Sequence, residues 1–384
     1  MAGRSIDVKI NPEIIKWARE SSGFSIEEIA KKIKTTEEKY KKIESGIKSP
    51  TFKQLDLLAN YFKRPVAVFF LPRPPEEPSF ASSFRILPKT EQEFSKELKL
   101  AIRKTRYYQS IANSLWKDLG MATNSAIIKR TLNDNPIEIA KKEREKIGIS
   151  VEEQYKWQNS YVAFNFWRGS IESKNILVFQ FKFPIKDARG YSLMDKEPPV
   201  IAINSSENIL ARIFTLFHEY AHIILGITEI YSGEEEINLD KEVENWCDRF
   251  ASEFLLPEEK LKIDNNFQIY IKTRKLSSEI IDNLSKKFKV SKKAVLTRLR
   301  TLDLIGYDVY RRELETLQKQ YIEVPKKGGF ISPSQKCLQE KGKKFISSVL
   351  QANERRVITT ADTIEYLSIR LKHLDKIQEA IARL

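Results

Sequence analysis

Two histidines four residues apart frame a glutamate in the stretch FTLFHEYAHIILG, residues 214–226. The chain holds three histidines in all, and His218 and His222 are two of them. Positions four apart share one face of an α-helix, so both imidazoles can address a single divalent cation. Glu219, next to the first, can reach a water held by that cation and take its proton while the metal lowers the water's pKa. A site of this kind needs a third protein ligand. The remaining histidine, His373, lies far along the chain, which directs attention to carboxylates. In KEVENWCDRFASEFLLP, residues 241–257, Glu244 and Asp248 are again four apart. One acid can complete the coordination while the other holds a ligand imidazole by a hydrogen bond. Two plainer readings compete. The apolar flanks Ile213, Phe214, Leu216, Phe217 and Ile223 also fit a buried helix whose histidines only pack, and Glu244 with Asp248 also fits an exposed acidic pair.

The elements that must carry these residues are legible around them. ILVFQFKF (176–183), GYSLM (190–194) and PVIAIN (199–204) are strand-like, and the turn sequences PIKDARG and DKEPP separate them. A small sheet therefore precedes the histidine helix. Further helices are read at 90–119, 135–148 and 150–166. Nearer the N-terminus, residues 11–70 read as short consecutive helices. Asn11 and Pro12 open the first and Gly23 stops it, Ser25 and Glu28 form a capping box, Thr36 caps EEKYKKIESG, and Pro50 begins another helix. That succession is a helix-turn-helix signature. The outward residues of its second helix are Glu37, Glu38, Lys39, Lys41 and Lys42. Thr36, Lys39, Lys41, Lys42 and Lys48 are the candidate DNA contacts. A second such signature occupies residues 276–306, LSSEIIDNLSKKFKVSKKAVLTRLRTLDLIG. Ser277 and Ser291 are its caps, and Lys292, Lys293 and Arg298, with Arg300, are expected to face outward as phosphate contacts.

Charge supports this division. The net charge is +14, and Lys and Arg outnumber Asp and Glu 14 to 9 over residues 1–64 and 10 to 2 over 271–300. Residues 201–260, which hold the histidines, are acidic, 13 to 4. Basic blocks on helical patterns point to nucleic acid. Cys247 and Cys337 alone supply no disulfide framework or cysteine metal knuckle. Apolar runs are too short to span a bilayer, and charged residues interrupt the opening segment where a signal peptide would be apolar. The expected compartment is cytoplasmic, with no membrane partner.

Two resemblances follow. Phe24 to Pro65 resembles the phage-repressor (XRE, Cro/CI-type) helix-turn-helix family, through Ala30, the Thr36 cap, Tyr40 and Ile43 on the inner face, Glu44-Ser45-Gly46 and Pro50-Thr51. It departs at Ile26, where members often carry Gln. Val178 to Pro257 resembles the ImmA/IrrE family of zinc metallopeptidases, through the strand pair, HEYAHIILG and ENWCDRFASEFLLP. That resemblance implies zinc held by His218, His222 and Glu244, with Glu219 as general base and Asp248 orienting a ligand. For the oxyanion, Tyr191 is the one candidate.

The expected fold is α+β, mostly α. Its parts are a helix-turn-helix domain (1–71), a linker (72–89), a zincin-like core (90–262), a second helix-turn-helix segment (263–306) and a helical accessory region (307–384). The expected function is a DNA-binding regulator with a zinc endopeptidase. Its partners are operator DNA and a repressor or toxin protein, in stress, phage or toxin–antitoxin control, and the organisation is compatible with a homodimer. The alternative is an antitoxin or repressor whose zincin domain only holds a partner.

Overall fold

Side-chain caps start each of the first four helices. Asn11 accepts from Glu13 N at the start of α1 (Pro12–Ser21), and Ser25 and Glu28 bond reciprocally at α2 (Ile26–Lys32). Thr36 caps α3 (Glu37–Glu44), and Thr51 and Gln54 form the box of α4 (Phe52–Phe62). These bonds satisfy N–H groups that a helix start leaves open. A computed structural model describes residues 7–75, 94–125, 127–226, 234–322 and 331–382. Beyond residue 75, the expected linker lies outside the described residues, as does the turn expected at PKKGGF.

The chain divides into two compact units, Met1–Ser82 with Pro88–Tyr107, and Ser83–Leu87 with Tyr108–Leu384. The first unit buries Ile14, Ala18, Ile29, Tyr40, Ile43, Leu55, Leu58, Phe62 and Phe69 in one core. The first turns of α5 (Lys96–Asp118) belong to it, and Arg103 Nη1 donates to Ser22 Oγ and Phe62 O, both at 2.7 Å.

The second unit runs through α6 (Pro136–Ile147), α7 (Val151–Lys156) and α8 (Ser160–Glu172) into β1 (Leu177–Phe181), β2 (Gly190–Leu193) and β3 (Val200–Asn204). The strand order is β1-β3-β2, with β3 parallel to β1 and antiparallel to β2. Every position of β1 and β3 is buried. The pleat explains this, since alternate residues face opposite sides. Val178, Ile201 and Ile203 join the main core with α9 (Ile209–Leu225). Phe179 and Phe181 stack around Tyr108.

After α9 come α10 (Glu234–Leu255), α11 (Glu258–Lys262), α12 (Asn265–Thr273), α13 (Ser278–Phe288), α14 (Lys292–Thr301) and α15 (Tyr307–Ile322). Phe267 and Tyr270 of α12, Leu284 and Phe288 of α13, and Val295, Leu296 and Leu299 of α14 share one core with Phe250 and Leu255 of α10. The boundary expected between residues 262 and 263 therefore runs through continuous packing.

The expected accessory region forms α16 (Pro333–Glu354), α17 (Thr360–Leu367) and α18 (Leu374–Ala382). Phe345 of α16 packs on Tyr108 and Phe179, so this region is bound to the sheet. Gly342 breaks α16 at φ 75° and ψ 165°. The break is filled by a buried ion pair. Arg168 donates to Gln339 O at 2.8 Å before it, and Glu172 accepts from Lys344 N at 3.1 Å after it. A Cβ at Gly342 would stand 2.0 Å from Glu172 Oε1, so glycine is required there by space as well as by backbone.

Candidate metal centre

Asn208 caps α9 and Gly226 ends it in the left-handed conformation, so the intervening helix carries His218, Glu219 and His222 in one regular stretch. α10 packs alongside and supplies Glu244 and Asp248. The two imidazole Nε2 atoms lie 3.2 Å apart. Glu244 Oε2 is 3.1 Å from His218 Nε2, and Oε1 is 3.2 Å from His222 Nε2. Ligand atoms of these three residues all fall within 4.8 Å of one another. A tetrahedral zinc ion with ligands at about 2.0–2.1 Å sets neighbouring donors roughly 3.3 Å apart, so the donor set fits that ion in both chemistry and spacing. No other trio of this kind occurs among the described residues. His373 lies in a 3-10 turn, Leu371–His373, outside the cluster.

Asp248 completes the arrangement from behind. Its Oδ1 is 3.0 Å from His218 Nδ1, which fixes the proton on Nδ1 and leaves the Nε2 lone pair for the cluster. The electrostatics match. Burial disfavours charge on His218, but hydrogen bonds to Asp248 and Glu244 hold its pKa well above the usual imidazole value. Desolvation likewise opposes ionisation of Glu244, yet the two imidazoles hold it far below the carboxylate range. Donors that stabilise one another's charge this strongly are poised for a cation.

Glu219 is buried but is not one of the converging ligands. Burial raises its pKa, and the neighbouring imidazoles and a hydrogen bond with Ser192 oppose the rise. A raised carboxylate suits proton transfer near neutrality. It faces β2 at close range. A Cβ built on Gly190 would meet Glu219 Cγ at 3.2 Å and Thr215 Cγ2 at 2.5 Å, so a side chain at 190 would displace the base. Gly190 and Ser192 have no signature in the sequence, because their part depends on α9 crossing the sheet. Tyr191 points the other way. It is buried against Phe183 on the face opposite Ser192, which removes it as the oxyanion group.

Residues 171–300 match the peptidase M78 family model, the IrrE N-terminal-like domain, and residues 15–69 match a helix-turn-helix model. The chain joins an XRE-type helix-turn-helix to an IrrE/ImmA-like domain. A comparison with curated proteins finds no match. The IrrE-like match is to a metallopeptidase type of domain, and the helix-turn-helix supports DNA binding. No described helix is long and apolar enough to cross a membrane.

The match to the IrrE-like domain extends to residue 300 and so includes the segment expected to be a second DNA reader. There the structure overturns one expectation and weakens two. Arg298 is 1% exposed and pairs with Glu253 of α10, so it faces the core and cannot reach a phosphate. The physical cause is that α10 covers that face of α14. Lys292 is tied to Asp282, and Lys293 lies at the metal centre's edge. In the XRE-type unit, by contrast, Thr36, Lys39, Lys41, Lys42 and Lys48 are all exposed. Lys42 is partly neutralised by Glu38 at 2.9 Å.

Proposed function

We propose that the IrrE-like domain is a zinc-dependent endopeptidase. The helix-turn-helix then makes the chain a transcriptional regulator acting by cleavage of a repressor or partner protein, in stress, mobile-element or toxin–antitoxin control. The observation that supports this is Glu219, a buried carboxylate standing beside the converging ligands and not among them. A purely structural zinc site requires ligands but no base. His218 Nε2, His222 Nε2 and Glu244 would hold the ion, which when bound supplies Lewis acidity to the scissile carbonyl and the water.

The chain's own residues do the rest. A Glu219 carboxylate oxygen takes a proton as the water oxygen bonds to the carbonyl carbon. The same oxygen returns that proton to the amide nitrogen as the C–N bond breaks. Asp248 keeps the His218 ring in the orientation and tautomer that the centre requires. β2 lies at the edge of the sheet and runs past Glu219, so an extended peptide can add to it as a further strand. At the other unit, Thr36, Lys39, Lys41, Lys42 and Lys48 contact operator DNA. Buried thiols at Cys247 and Cys337 suit the cytoplasm.

The test is Glu219→Gln. It should leave zinc content unchanged while cleavage of a co-expressed repressor falls by about 10²–10⁴-fold, the usual worth of a positioned base. Cleavage that persists in the variant removes Glu219 from this role. Tight zinc binding by a wild-type chain that cleaves no partner would favour the antitoxin reading, in which the domain is a scaffold.

A further inference from the structure

The residues that the peptidase reading leaves unused gather at one end of β2. Arg189 immediately precedes Gly190, which abuts Glu219. Its guanidinium pairs with Glu207 through Oε1, and Thr215 Oγ1 donates to Glu207 Oε2 at 3.2 Å. Glu207 is thus engaged at both oxygens and its side chain is 3% exposed, whereas the Arg189 side chain remains 47% exposed. Lys293, from the start of α14, lies in the same neighbourhood. Burial lowers its pKa, Arg189 lowers it further, and Asp248 and Glu207 oppose the shift. Asp248 is in turn engaged by His218. Lys293 is only half-buried, and among the described residues it makes no hydrogen bond or ion pair.

The acids of this group are therefore committed to inner partners, while the two cations retain donors toward the cleft. We infer that Lys293 and Arg189 form a subsite for a carboxylate side chain, an Asp or Glu of the bound peptide lying toward the Gly190 end of the edge strand. Successive residues of an extended ligand rise about 3.3 Å each, so the acid lies a few residues from the scissile bond. Charge-assisted bonds from an ammonium and a guanidinium are the strong class of carboxylate contact. The inference rests on the peptidase reading for the peptide's path along β2, but its test does not require cleavage.

The zinc-loaded Glu219→Gln chain is used to capture peptides from a random nonapeptide library, and the bound peptides are sequenced. Asp and Glu should be enriched at one position. Adding Lys293→Gln should reduce that enrichment about tenfold, the worth of one charge-assisted hydrogen bond, and Lys293→Glu should replace it with a preference for Lys or Arg. Zinc content and the thermal transition, measured alongside, confirm that the variants fold. Captured peptides without acid enrichment overturn the subsite, as does enrichment that survives Lys293→Gln, or no capture at all. Acidic capture by a chain whose wild type cleaves nothing retains the subsite and removes the peptidase reading. Cleavage by wild type without acid preference does the reverse.

Discussion

Two helix-turn-helix segments of similar outline meet opposite fates in this chain. In the first, α3 buries Tyr40 and Ile43 and leaves its lysines in solvent, balancing Lys39, Lys41 and Lys42 with Glu37, Glu38 and Glu44. In the second, α14 carries Lys292, Lys293, Arg298 and Arg300 with no acid, yet buries an unbroken run from Ala294 to Leu299. The more basic helix is the one enclosed in the IrrE-like domain. Positive charge on a helical pattern thus does not identify a nucleic-acid surface. What decides is whether a neighbouring element covers the face, and here α10 covers it and supplies Glu253 as counter-ion. A long cationic side chain tolerates such a site, since its stem packs and its head is paired.

The largest effect should come from breaking that pair. Arg298→Ala leaves a buried acid without its cation, and the loss should be about 3–5 kcal/mol of stability. Denaturant unfolding of the full chain would read it, with the transition of the second unit moving and operator affinity staying constant. A loss below about 1 kcal/mol would mean that α14 is held without this pair, and a loss of DNA affinity in folded protein would restore α14 as a reader.

The complementary change acts on α3. Replacing Lys39, Lys41 and Lys42 by Gln should cost little stability, within about 0.5 kcal/mol per exposed site. It should weaken DNA binding at every sequence tested. Each phosphate contact removed lowers the slope of log affinity against log salt by about 0.9. A titration series at several salt concentrations therefore counts the lysines that touch DNA. The same change at Lys292 and Lys293 should leave the slope unaltered. An unchanged slope for α3 and a reduced one for α14 would invert the comparison.

How much of this was readable in advance follows from the same contrast. The metal centre was legible because its chemistry needs uncommon residue types at helical spacing. His218, His222, Glu244 and Asp248 each fall four apart on their own helix, and the structure brings the two helices together. The strands were legible from β-branched and aromatic runs, and the observed Leu177–Phe181 and Val200–Asn204 lie within the ranges expected. The caps were legible because they are local. What was not legible depends on contacts far apart in sequence. Arg298 meets Glu253 across the core, Gly190 lies against Glu219, and Arg168 and Glu172 fill a break near Gly342. The one available hint was Glu253 itself, an acid inside the apolar run FASEFLLP, which needs a buried partner.

The smallest expected difference isolates environment from chemistry, because both helices begin with the same device. Thr36 Oγ1 accepts from Lys39 N at 3.3 Å, and Ser291 Oγ accepts from Ala294 N at 3.1 Å. Removing an N-cap hydroxyl costs about 0.5–2 kcal/mol. At exposed Thr36, the freed Lys39 N–H turns to water, so Thr36→Ala should fall at the low end. Ser291 is 7% exposed and Ala294 1% exposed, so no solvent replaces the lost acceptor and Ser291→Ala should fall at the high end. Urea midpoints of the two variants, measured on the full chain, give the comparison directly. Equal losses would show that the start of α14 reaches water as freely as α3 does, which would remove the burial on which the contrast between the two segments depends.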